Sequence, residues 1–171
     1  MLSDKTQVSD SIEVKKNGQV AHNSASDGVD VNSRHLKANM HIVLRDKDGN
    51  IKDERHIHNT VTTAGKNGIA DQILASPTLG KPTHMAIGTG TPSGTALGTE
   101  LDRNALTSKL RSNAVVTFVG DWPAGDGTGA ITEAGIFDAS SSGNMWASQS
   151  FSVINKGASD VLSISWTLTV S

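Results

Sequence analysis

The segment VLSISWTLTV, residues 161–170, places Leu162, Ile164, Trp166, Leu168 and Val170 on one face and Ser163, Ser165, Thr167 and Thr169 on the other. A strict period of two is the pattern of a half-buried antiparallel β-strand. Such a strand needs a second layer over its apolar face, so it sets the class of fold that the chain can adopt.

The rest of the chain reads in the same way. HIVLR, residues 41–45, is a strand. DKDGN follows as a turn in which Gly49 suits a positive φ, and residues 52–62 resume extended structure, which makes a hairpin. THMAIGTGT, residues 83–91, is a strand that runs into a glycine turn. Ala114, Val116 and Phe118 alternate with Val115, Thr117 and Val119, and residues 145–154 are again extended. SSSGN and NKGASD supply turns. Residues 64–76 are predicted to hold one short helix, with Ile69, Ile73 and Leu74 on one face and Pro77 after it. Residues 99–110 are a short helical turn or an irregular edge. Many short strands between Gly, Ser and Asp turns argue for an all-β fold, an antiparallel β-sandwich of jelly-roll-like kind, spanning residues 39–171.

Residues 1–38 differ. They hold no aromatic residue and are dominated by Ser, Asp, Asn, Gly and Lys. Such a segment cannot bury enough apolar area to offset its ordering entropy, so it is expected to be an extended arm that orders only on a neighbouring surface. Within it, SIEVKK could add to an exposed sheet edge through Ile12 and Val14.

The stretch ITEAGIFD, residues 131–138, poses the main functional question. Glu133 is a poor strand residue and Gly135 has no side chain to pack. A catalytic Glu133 would need partners. Asp138 is five residues on, so a single strand points the two carboxylates to opposite faces. There is no G-x-S-x-G elbow, and cysteine is absent, which removes thiolate chemistry. The expectation is a structural Glu133 that accepts hydrogen bonds, with Arg103, Arg111 or free N–H groups of a bulge at Gly135 as donors. Enzymatic function is not expected.

The other chemical motifs are weak. His56 and His58 share one strand face, but zinc sites want three or four ligands at recognisable spacing, so cross-strand or surface histidines are expected and no cofactor is assigned. DKDGN lacks the acidic spacing of a calcium loop. GTGTPSG, residues 88–94, is G-x-G-x-x-x-G in a β context rather than a dinucleotide fingerprint, and reads as a tight loop. A formal net charge of -2 favours neither nucleic acid nor an anionic membrane, and no apolar run approaches the roughly 20 residues of a membrane span. The first residues lack the basic and apolar regions of a signal peptide, so Sec-type export is not expected.

An ordered series of motifs then stands out: HNTVTTAGKNGIADQILA, HMAIGTGT, ALGTEL, ITEAGIFD and FSVINKGASDVLSISWTLTVS. The series, over about residues 40–171, resembles small structural proteins of tailed bacteriophages. The E-A-G-[IL]-F-D element is also similar to one in phage tail-collar fibre proteins. The resemblance implies a virion structural protein, assembled in the host bacterial cytoplasm, that works through contact area. It implies a capsid decoration or cement protein bound to the major capsid protein, as a homo-oligomer, with a tail, collar or baseplate component as the alternative. Outside that family stands a carbohydrate-binding sandwich. For that reading Trp122, in the loop GDWPAGDG, is the best exposed stacking residue, Trp146 could face either way, and Trp166 belongs to the core.

Overall fold

The structure is a computed structural model and describes residues 15–16, 19–20 and 36–170. Lys15–Lys16 (β1) and Gln19–Val20 (β2) form a two-residue antiparallel ladder of their own, pairing Lys15 with Val20 and Lys16 with Gln19. Ile12 and Val14 lie outside the described residues.

The remaining elements are β3 (Leu36–Arg45), β4 (Ile51–Val61), α1 (Thr63–Asp71), β5 (His84–Gly88), β6 (Glu100–Ala105), β7 (Ser108–Ser112), β8 (Val115–Trp122), β9 (Gly129–Phe137), β10 (Met145–Lys156) and β11 (Val161–Val170). They form an all-β sandwich of two packed antiparallel sheets. Hydrogen bonding runs in the order β6-β5-β9-β10-β4-β3-β11-β8-β7. β4 serves both layers. Its length up to Asn59 pairs with β3, while Thr60 and Val61 pair with Ser148 and Ala147 of β10. The two ends of the order, β6 and β7, are joined by residues 106 and 107 alone, so the order must curl until its ends meet. Thr107 N–H donates to the Val119 carbonyl and Asn104 Nδ2 to the Asp121 carbonyl, which ties that closure together.

β11 lies between β3 and β8 in unbroken register, Trp166 facing Met40 on one side and Phe118 on the other. Its inward residues Leu162, Ile164 and Trp166 are buried with Met40, Ile42 and Leu44 of β3, Phe118 and Trp122 of β8, Met85 and Ile87 of β5, and Ile131 and Ile136 of β9. β3 begins at Leu36, so residues 36–38 belong to the sheet rather than to an arm. Residues 99–110, expected to be a short helical turn or an irregular edge, hold edge strand β6 and the start of edge strand β7.

The helix is shorter than its apolar spacing suggests. Thr62 caps it, its hydroxyl accepting from the Gly65 N–H. The face turned to the sheet is Gly65 and Gly68, where a Cβ would overlap the Trp146 carbonyl and the Trp146 ring. Ile73 and Leu74 follow the helix and stand in solvent, 84% and 58% exposed.

Candidate functional site

Glu133 on β9 is fully buried. Its carboxylate accepts three backbone N–H bonds from the loop between β5 and β6. Oε1 takes those of Gly90 at 2.9 Å and Thr99 at 2.8 Å, and Oε2 takes that of Gly98 at 2.8 Å. The adjacent Thr132 hydroxyl donates to the Gly90 carbonyl at 2.8 Å. One charged acceptor thus meets donors that the loop has no other element to satisfy, which is the condition for burying a carboxylate.

Glycine makes this approach possible. A Cβ on Gly88 would overlap both the Thr99 carbonyl oxygen and Glu133 Oε1, and one on Gly90 would come within 2.7 Å of the Thr99 nitrogen. The clamped loop delivers Leu97 onto the outer face of the sheet, where it forms a second apolar cluster with Ala86, Phe137 and Met145. β5 is therefore covered on both faces.

Gly135 belongs to the same arrangement but is not a bulge. It pairs in register with Ala86 of β5 and Ser148 of β10. The irregularities sit in β10, between Met145 and Ala147 and between Ser150 and Ile154. Gly135 is instead a close approach: a Cβ there would lie 3.0 to 3.2 Å from Phe137, Met145 and Leu97. Nor do the arginines serve Glu133. Arg103 pairs with Glu100, donates to the carbonyls of Ala139 and Ser142, and stacks on the Phe137 ring, while Arg111 donates to the Asn113 carbonyl.

Trp122 corrects the expectation of an exposed loop residue. It ends β8, is 0% exposed and faces Leu162 across the ladder. Trp146 and Trp166 are also buried. No tryptophan is free to stack on a sugar. The aromatic platform that motivated a carbohydrate-binding reading does not form.

A second place carries chemistry, on the outer surface of β3, β4 and β11. Asn39, His41, His56, His58, Ser165 and Thr167 line a hollow of about 520 Å³ there. Register explains the grouping. His41 faces His56 on β4 and Ser165 on β11, and Asn39 faces His58 and Thr167. Glu54, two residues before His56, shares that outer face. The His41 and His56 rings stack with centroids 4.2 Å apart and planes 5° from parallel. Glu54 Oε1 lies 2.8 Å from His41 Nε2 and 3.9 Å from His56 Nε2. One ligand atom from each of His41, Glu54 and His56 lies within 4.8 Å of the other two. His58 is engaged by Asn39, Nδ1 to Oδ1 at 2.7 Å. His56 and His58 share a face along one strand. The closer set is His56 with His41 across two strands and with Glu54.

Comparison with known proteins adds no assignment: no family model, no curated protein and no solved structure matches the chain.

Proposed function

We propose that the protein is a structural component of a tailed-phage virion, a decoration or cement protein that binds the major capsid protein as a homo-oligomer and stabilises the head. The observation that carries this reading is where the motif series meets in space. HMAIGTGT supplies β5 and the Gly90 amide, ALGTEL supplies Leu97 and the Gly98 and Thr99 amides, and ITEAGIFD supplies the carboxylate that binds them. Three of the five motifs behind the family resemblance thus meet in one internal clamp. Both oxygens of Glu133 are occupied by the protein's own backbone, which suits a motif selected for shape rather than turnover.

A protein of this kind acts through its surface. Large apolar side chains stand exposed at Ile73, Leu74 and Leu110, the last on edge strand β7. Exposed apolar side chains are what subunit contacts use. A tail, collar or baseplate component remains the second reading within the same family, resting on the E-A-G-I-F-D element.

Electron-microscopy reconstruction of intact virions that contain this chain tests the proposal. Density repeated over the icosahedral facets is the expected result. Density confined to neck, tail or baseplate would transfer the reading to the second component. Absence of the chain from purified particles, checked by mass spectrometry, would end both.

A further inference from the structure

We propose that the outer face of β3 and β4 binds one zinc-like divalent cation through His41, His56 and Glu54. This goes beyond the virion reading and does not depend on it.

Three observations converge. First, all three residues project from the same face of one hairpin, His41 directly opposite His56 and Glu54 one side-chain row away. Their Cα positions are thus fixed by the ladder rather than by a loop, which lowers the cost of assembling ligands. Second, both imidazoles bring Nε2 toward the same Glu54 oxygen, at 2.8 and 3.9 Å. A simple surface ion pair needs one histidine. Here the second ring stacks on the first and holds its Nε2 within 3.9 Å of the same carboxylate. Third, the spacing is close to that of a coordination sphere. Zinc bonds of 2.0–2.2 Å at tetrahedral angles put ligand atoms about 3.3 Å apart. The three atoms here lie within 4.8 Å of one another, and binding an ion would draw them together and tilt the two stacked rings so that both Nε2 lone pairs aim at it.

The donor set names the class of ion. Two imidazoles and one carboxylate suit zinc and its first-row neighbours, whereas calcium and magnesium prefer shells of oxygen ligands. Three protein ligands would leave a fourth position for a non-protein ligand. Water can fill it. The side-chain relative exposures of 38% for His41, 44% for Glu54 and 76% for His56 leave an ion free to enter.

The test uses the full chain without a polyhistidine tag. Zinc uptake is followed by calorimetry and by competition with a chromogenic chelator. Wild type is expected to take up one zinc per chain with a micromolar Kd. A His41→Ala/His56→Ala double variant is expected to weaken uptake by more than tenfold, and Glu54→Gln by about tenfold. Circular dichroism checks that these surface variants stay folded. Zinc should also protect His41 and His56, but not His84, from acylation by diethyl pyrocarbonate. No saturable uptake by wild type would overturn the proposal. Equal uptake by wild type and the double variant, as binding to His22 or His35 would give, overturns it as well.

Discussion

Glu133 Oε2 accepts the Gly98 N–H at 2.8 Å, and this bond sets where Leu97 packs. Leu97 is the immediate neighbour of Gly98, so holding the Gly98 amide holds the apolar side chain that covers Ala86, Phe137 and Met145. A buried charge and an apolar cluster are here two parts of one device. The carboxylate draws the loop in, and the burial of Leu97 helps to keep water from the carboxylate.

Replacing Glu133 by glutamine keeps the shape but exchanges one acceptor oxygen for a donor amide. Three N–H groups then compete for one oxygen, and at least one is left facing another donor. The expected loss is about 1–3 kcal/mol, read as a lower urea midpoint. Glu133→Ala should cost more, because it adds a cavity to the unsatisfied amides. Hydrogen exchange at Gly90, Gly98 and Thr99 should accelerate in both variants while exchange in β11 tracks global stability. Unchanged exchange at those three amides would refute the clamp.

The glycines of the clamp make a second, graded prediction. Gly88→Ala forces a methyl into a backbone carbonyl and Glu133 Oε1, neither of which can retreat without breaking the clamp. Its cost is about 3 kcal/mol or more. Gly94 has φ +86° but nothing within 4 Å of an added Cβ. Gly94→Ala therefore pays only for the left-handed backbone, about 1 kcal/mol. Equal effects in thermal melts of the two variants would show that steric contact with Glu133 is not the constraint.

How far the fold could be read in advance depended on how many faces of each strand are buried. β11 has one face in the core, so its alternation was plain and the sandwich followed from it. β9 is buried almost throughout from Ile131 to Ile136, so no alternation marks it, and Glu133 stood out only as a misplaced charge. The helix was found from Ile69, Ile73 and Leu74, yet its packing face is glycine against Trp146, a contact that hydrophobic spacing cannot register. Pro123 and the glycines that follow give Trp122 the surroundings of a loop residue, whereas β8 runs on through it. The grouping of His41 with His56 and Glu54 depends on a bulge that spacing alone does not show. Arg45 faces Ile51 but Leu44 faces Asp53, so one extra residue sits in β4. Without that extra residue His41 would face Arg55, and the two histidines would lie on opposite sides of the sheet.

Trp122 now belongs to a stability experiment. Fully buried beside Leu162, it should cost about 3–5 kcal/mol on truncation to alanine. Phe at this position should recover most of that, because the site is apolar and the indole Nε1 has no hydrogen-bond partner there. A Trp122→Ala protein with wild-type stability would contradict its burial. Any change in glycan binding by this variant would have to be separated from unfolding first.

The turn between β10 and β11 makes the last prediction, on the acid side. Asp160 accepts from Lys52 Nζ at 2.5 Å and from the Gly157 N–H at 2.8 Å. The Lys52 hydrogen bond, followed by the Gly157 amide and the charges of Lys52 and Lys156, holds its carboxyl below the ordinary carboxylate value. A group depressed in the folded state binds its proton more readily in the unfolded chain. Its contribution is therefore fully present above the unfolded value of about 3.9 and is lost as pH falls through the lower folded value. Asp160→Asn removes the ionisation while its side-chain oxygen can still accept from Gly157. The gap in urea midpoint between wild type and Asp160→Asn should be constant from neutral pH down to about 5, then close as pH falls below about 4. Lys52→Met should reduce the same gap, since it removes the largest cause of the depression. A gap that stayed constant to the lowest pH at which the protein folds would mean that the Lys52–Asp160 pair adds nothing to stability through charge.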